Sequence, residues 1–273
     1  MDGGSAAGTS RSSLRWGGAC LGLLAVMAGL ALLPTPLAYA LTIALPIPFL
    51  WLLFRNGHLS RFPAPWWAGL ALWATVGAVR AGAALLLAGG AVTFQPQHGY
   101  AAAGSLFPFV ALAILWGEGA GGRAFGLTLR RGLAQALLGI ALAVILQCAL
   151  RLSHIVAGGF DLRQADLLAL GRDLPFELMV ISLGEEALFR GYLQTTLQRR
   201  YPWWFAVVLT SVLFGVWHIP AVLWHSTPYA AFAIVGFPFA FGLLTGVMVR
   251  LTGSIVGPVV AHAVYNAINA AFP

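Results

Sequence analysis

Charged residues are scarce in this chain, at only 8% of its 273 residues. A typical soluble domain has about a quarter of its residues charged. Lysine is absent altogether, and all 15 cationic side chains are arginine. Hydrophobic residues make up 60% of the sequence. This composition excludes a soluble globular domain and indicates an integral membrane protein.

Cysteine is almost absent too. The two residues, Cys20 and Cys148, both fall within apolar runs, with no CxxC spacing and no neighbouring histidine. That pattern argues against a disulfide framework and against a cysteine-ligated metal site. We expect both thiols to behave as small buried hydrophobic side chains.

The formal net charge is +7, which in a soluble chain would suggest an acidic partner such as nucleic acid. Here the arginines stand singly or in pairs at the ends of apolar runs, where the positive-inside rule places them. We therefore expect no nucleic-acid partner. The uneven distribution of arginine between alternate loops predicts a cytoplasmic N-terminus, and we expect the protein in a bacterial plasma membrane.

Apolar stretches long enough to cross a bilayer as a helix recur along the chain. Nine qualify or come close, at about residues 17–33, 37–54, 66–89, 101–117, 132–152, 174–198, 203–219, 229–249 and 254–272. We predict an all-α, polytopic transmembrane helical bundle of about eight to nine spans. It divides into a polar tail (1–16), N-terminal transmembrane helices (17–165) and a transmembrane core that carries polar motifs (166–273).

Polar and aromatic residues with catalytic potential interrupt three of the last four apolar stretches. In chain order they are Glu185, Glu186, Arg190, Phe214, His218, His262 and Asn266. An ionised side chain at the centre of a membrane helix costs roughly 2.5 to 3.5 kcal/mol on insertion scales, so such residues need partners. We therefore predict that these helices enclose one polar site.

Helical spacing distinguishes the two glutamates. Glu186 and Arg190 are four residues apart on one face, in the order that favours an ion pair, so we expect a structural pair. Glu185 lies about 100° around the helix and remains free to accept and return a proton. Counted at about 1.5 Å per residue from the nearest helix-end arginine, Glu185, His218 and His262 lie at similar depth and can converge.

These motifs resemble those of the CPBP family, the CAAX proteases and bacteriocin-processing proteins also called the Abi family. EExxxR begins at Glu185, FxxxH at Phe214 and HxxxN at His262, in the order found in the family and within about residues 170–273. The resemblance implies an intramembrane endopeptidase that cuts near the C-terminus of prenylated proteins or within small peptides. The catalytic residues it implies are Glu185, Glu186, His218, His262 and Asn266, with Arg190 and Phe214 as structural residues.

Two mechanisms fit these residues. Without a metal, Glu185 and His218 activate a water while His262 and Asn266 stabilise the oxyanion. With a metal, His218, His262 and Glu185 hold a zinc ion with an open position for water, and the other glutamate acts as the base. Zinc is thus a cofactor only in the second mechanism.

Two other functions remain open at this stage. Intramembrane Glu, His and Arg also build the proton relays of transporters, although we find no internal repeat of the kind common in transporter folds. A catalytically idle protein of the bacteriocin-immunity type is the other alternative. The partners we expect for a protease are the lipid bilayer and a peptide or protein substrate that arrives from the membrane or an aqueous face.

Three further polar residues have weaker signals. Arg80 falls in the middle of the third apolar stretch, and we expect it to pair with a carboxylate such as Glu177 or to face water. Glu177 itself is expected near the membrane surface. Asn269 stands one turn beyond Asn266 and could line the same site.

Overall fold

The computed structural model describes residues 21–55, 65–90, 95–117, 121–156, 166–222 and 228–272, and these ranges contain helices and no strand. The predicted all-α helical bundle is thereby confirmed. The helices, numbered α1 to α12, are Leu21–Leu32, Thr35–Ala44, Pro46–Arg55, Ala68–Ala88, Pro96–Gly104, Leu106–Gly117, Gly132–Val156, 167–197, Trp203–Trp217, Ile219–Val222, Pro228–Thr252 and Val256–Ala271.

Six helical segments are long and apolar enough to cross a membrane. They are Thr35–Arg55, Ala68–Ala88, Pro96–Leu115, Gly132–Leu152, Trp203–Val222 and Ala233–Thr252. The protein is therefore an integral membrane protein, but the predicted eight to nine spans are not confirmed. Two of the remaining predicted spans are helices of only 12 and 16 described residues, α1 and α12. The third is α8, whose apolar sequence is interrupted by charged residues.

Helix α8 is continuous but not uniformly α-helical. Asp166 caps its start, because Oδ1 accepts hydrogen bonds from Leu168 N and Ala169 N at 3.1 Å. Two π-helical stretches, Glu177–Ser182 and Ala187–Gln194, lie on either side of a short α-helical segment, Leu183–Glu186. The first π stretch begins two residues after Pro175, whose ring and missing N–H disturb the α-helical hydrogen bonds. π turns are rare and often mark functional sites.

The core lies around α8. Its middle is fully enclosed, with Leu188, Phe189 and Leu193 at 0% exposure. Helix α12 packs against α7 and α8, α9 packs against α11, and α4 contacts α8 and α10. By contrast, α4 buries little of its own surface. The C-terminal helices therefore surround α8, and α4 lies at the edge of this group.

Helix α7 shows that one side-chain expectation was wrong. Cys148 is exposed on this helix rather than buried, and it is a free thiol. The apolar run around it is a lipid-facing surface, since Val144 and Ile145 are exposed as well. Cys20 lies outside the described residues.

Close contact between α7 and α12 depends on Gly139. A β-carbon there would meet the carbonyl oxygen of Gly257 and would lie 3.0 Å from Ala261 N, both of them backbone atoms that cannot rotate away. We expect Gly139→Ala to lower the free energy of unfolding by about 1 to 3 kcal/mol, the usual cost of overpacking. Thermal unfolding of the purified protein in detergent measures the change.

Gly82 in α4 is the matched control, because a β-carbon there meets nothing within 4 Å. Gly82→Ala should leave stability unchanged or raise it by up to about 1 kcal/mol through helix propensity. Equal stability of the two variants would contradict the proposed tight crossing of α7 and α12.

Candidate active site

Arg190 is a fully buried charge, with no exposed surface. Its Nε lies 3.3 Å from Oε2 of Glu186, and Nε and Nη2 donate to Oγ1 of Thr245 at 3.1 and 2.9 Å. The guanidinium also stacks over the ring of Phe214, 4.4 Å from its centroid. Gly242 makes room for it, since a β-carbon there would lie 3.0 Å from Arg190 Nη2. The predicted ion pair is present.

His262 of α12 lies between the two adjacent glutamates of α8. Its Nδ1 is 3.2 Å from Oε1 of Glu186, and its Nε2 is 3.9 Å from Oε2 of Glu185. The three side chains are all buried, at 0 to 8% exposure. Each imidazole nitrogen therefore faces a carboxylate, and His262 joins the structural ion pair to the second glutamate.

Glu185 has two more neighbours from other helices. Trp217 Nε1 donates to its Oε1 at 2.8 Å. Arg80 Nη1 of α4 lies 3.5 Å from the same oxygen. The other oxygen, Oε2, is buried and has no hydrogen-bond donor among the described residues. One side of this carboxylate is therefore fixed, while the other retains the ability to accept a proton.

His218 stands directly after the last residue of α9. Its Nδ1 is 2.8 Å from the carbonyl oxygen of Phe214, one turn back in the same helix. Because a carbonyl only accepts hydrogen bonds, Nδ1 carries the hydrogen, and in the neutral ring Nε2 is the acceptor. His218 also interacts electrostatically with Glu185 and His262. A predicted site residue thus adopts the tautomer that suits a base.

Phe214 holds the two histidines apart from Arg190. Its ring packs edge-on against His218 and His262, with centroid separations of 4.9 and 5.9 Å, and the guanidinium of Arg190 covers it. Phe189 makes a further edge contact at 4.8 Å. Phe214 thus lies between the guanidinium of Arg190 and the two imidazole rings.

Asn266 is held by a residue outside the three motifs. Its Nδ2 donates to Oε2 of Glu177 at 2.8 Å. Glu177 is therefore part of the polar site rather than a surface residue that pairs with Arg80. Asn269 turns away, since its Oδ1 accepts from Nη2 of Arg151 in α7 at 3.1 Å.

Sequence reasoning missed the partners that reach the site across helices. Trp217 stands immediately before His218, so its helix was known, but nothing in its spacing indicated a hydrogen bond to Glu185. Thr245 occurs in an apolar run where a hydroxyl carries no signal of its own. The mid-span position of Arg80 did predict a carboxylate partner. That partner is Glu185 instead of Glu177.

Comparison with protein families agrees with the motifs. Residues 172–268 match the family model of Rce1-like proteins, described as type II CAAX prenyl endopeptidase Rce1-like. The resemblance to CAAX proteases is confirmed over this segment. The match indicates a CAAX-type protease and covers all seven motif residues. No curated protein and no solved structure matches the chain.

The site residues do not form a ready set of zinc ligands. Within the described ranges, no three His, Cys, Asp or Glu side chains are grouped as metal ligands are. Nδ1 of His218 faces the Phe214 carbonyl, and Nδ1 of His262 faces Glu186. A zinc-bound imidazole makes the same contacts through its second nitrogen, so a zinc ion would be held by the two Nε2 atoms together with a carboxylate of Glu185.

Removal of Arg190 should lower the stability of the fold more than it impairs the catalytic step. Arg190→Ala leaves Glu186 buried without its counter-charge, which costs about 3 to 5 kcal/mol for a broken buried pair. Expression and thermal unfolding in detergent measure this loss. Arg172→Ala removes an exposed arginine that pairs with Asp173 and should cost at most about 1 kcal/mol. Normal stability of Arg190→Ala would show that the pair has no structural role.

Proposed function

We propose that the protein is an intramembrane endopeptidase that hydrolyses a peptide bond near the C-terminus of a prenylated protein or within a small peptide. The observation that carries this proposal is the position of His262 between Glu185 and Glu186, inside the segment that resembles CAAX prenyl endopeptidases. A carboxylate with one free oxygen beside an imidazole can activate water for peptide hydrolysis.

In the proposed reaction, Oε2 of Glu185 takes a proton from a water molecule, assisted by Nε2 of His218. The water oxygen bonds to the carbonyl carbon of the peptide. The carbon–nitrogen bond then breaks, and the proton held by Glu185 passes to the leaving amine. Water is thereby divided between a new carboxyl group and a new amino group.

The negative charge on the carbonyl oxygen needs hydrogen-bond donors. We propose His262 Nε2 as one of them, with the ring in its imidazolium form, because each of its two nitrogens faces a carboxylate and both nitrogens then carry a hydrogen. Asn266 is the other, because its amide has two hydrogens and only one is directed to Glu177. Each such donor in a water-excluded site is typically worth about 2.7 to 4 kcal/mol.

We favour the reaction without a metal, since in the part of the chain that the structure describes His, Cys, Asp and Glu side chains are not grouped as zinc ligands are. Treatment with a chelator followed by dialysis should leave peptide cleavage unchanged, and added zinc should not increase it. Loss of activity on chelation with recovery on zinc addition would instead support the zinc mechanism with His218, His262 and Glu185 as ligands.

Glu185→Gln is the direct test of the base. The substitution nearly keeps the shape of the side chain but removes the proton acceptor, so cleavage of a farnesylated peptide should fall by about 10²- to 10⁴-fold. The melting temperature should stay close to that of the wild type. Asp173→Asn, the same chemical change in a partly exposed ion pair, should retain activity.

The histidines should behave as one unit with Glu185. His218→Ala and His262→Ala should each be about as inactive as Glu185→Gln, and the double variants should lose little more. Asn266→Ala should keep measurable activity, because it removes only one oxyanion donor. Full cleavage by Glu185→Gln would show that Glu185 is not the base, whereas absence of cleavage by the wild-type protein would favour a transporter or an immunity-type protein.

A further inference from the structure

Arg80 stands out because it comes from a helix that the endopeptidase family model does not cover. It is the only charged residue of α4, Ala68–Ala88, which is otherwise apolar and mostly exposed around its circumference. Its position is about 12 Å from the carboxyl end of the helix, counted at about 1.5 Å per residue. An arginine at that depth in lipid is costly and marks a functional position.

Three neighbours of Arg80 belong to the candidate active site. Nη1 lies 3.5 Å from Oε1 of Glu185. The guanidinium stacks over the Trp217 ring at 4.6 Å from its centroid, and Arg80 interacts electrostatically with His218. The indole thus covers one face of the guanidinium, and Glu185 neutralises one edge.

The ion pair with Glu185 uses only part of the Arg80 guanidinium, and the rest of the side chain stays exposed. Its side chain is 40% exposed, whereas that of Glu185 is 6% exposed. Glu185 already has Trp217 as a hydrogen-bond donor and His262 as a neighbour. A guanidinium has five N–H donors in a planar fork that matches a carboxylate. The exposed edge is therefore available to a second anion that approaches the site.

We propose that Arg80 is a specificity residue that binds the C-terminal carboxylate of the peptide substrate; this rests on the proposed endopeptidase function. An anion on the exposed edge lies within roughly 10 Å of Glu185, a distance that an extended peptide covers in about three residues. A carboxylate is the anion that every unmodified peptide carries at its end. The enzyme would thus select peptide bonds a short distance from a free C-terminus.

The test uses two farnesylated peptides that are identical except for a free C-terminal carboxylate or a carboxamide. Wild-type protein should cleave the carboxylate peptide with a kcat/KM about ten- to a hundredfold higher, the range expected for a charge-assisted hydrogen bond. In Arg80→Gln this ratio should fall close to one. Arg80→Lys should keep part of it, because the charge remains and the fork is lost.

Arg151→Gln is the matched control, since Arg151 lies in another membrane helix and donates to Asn269 instead of reaching Glu185; it should retain the wild-type ratio. The inference is overturned if wild-type protein cleaves both peptides equally. It is also overturned if Arg80→Gln slows both peptides by the same factor, which would make Arg80 only a partner of Glu185. If wild-type protein cleaves neither peptide, the proposed function itself fails.

A second measurement needs no variant. A tripeptide with a free C-terminal carboxylate should inhibit the wild-type protein at least about ten times more strongly than the same tripeptide amide. Equal inhibition by the two tripeptides would contradict carboxylate binding even if Arg80→Gln does not fold.

Discussion

Burial of the Arg190 guanidinium is the constraint on which the arrangement of the C-terminal helices depends. A charge with no exposed surface must be neutralised and hydrogen-bonded within the protein. Its partners come from different helices: Glu186 from α8 itself, the Phe214 ring from α9 and the Thr245 hydroxyl from α11. His262 then adds α12 through Glu186. Satisfying one cation thus fixes three helices around α8.

The same arrangement gives two adjacent glutamates different environments. Glu186 is fully enclosed and bound to Arg190 and His262, which makes it part of the scaffold. Glu185 is held on one oxygen by Trp217 and Arg80 but has a second oxygen without a donor among the described residues. Groups with unlike surroundings take unlike roles in acid–base chemistry. Glu186 therefore suits a structural role, and its neighbour Glu185 suits a chemical one.

The sequence predicted contacts that follow from spacing within one helix or from the cost of charge in lipid. Helical periodicity predicts the i, i+4 pair of Glu186 and Arg190. The cost of buried charge predicts that His262 approaches the glutamates. Contacts such as Trp217 with Glu185 depend on how helices rotate against each other. A periodic pattern does not determine those rotations.

The sequence also did not predict the local geometry of helix α8. Helix α8 was expected to be an ordinary helix, yet two π-helical stretches flank Leu183–Glu186. Such turns change the direction of the side chains that follow. Glu177 lies in the first π stretch and accepts a hydrogen bond from Asn266, a contact that the sequence did not predict. Pro175 was the one local signal of this irregularity.

In the proposed reaction Glu185 activates a water molecule that attacks the peptide bond directly. A single turnover of a farnesylated peptide with excess purified protein in water enriched in ¹⁸O tests it. Mass spectrometry should find one ¹⁸O atom in the new C-terminal carboxyl group of the first product formed. Cleavage that leaves this carboxyl unlabelled in the first turnover would mean that a protein carboxylate attacks the peptide, and absence of cleavage would mean that the polar site serves another purpose.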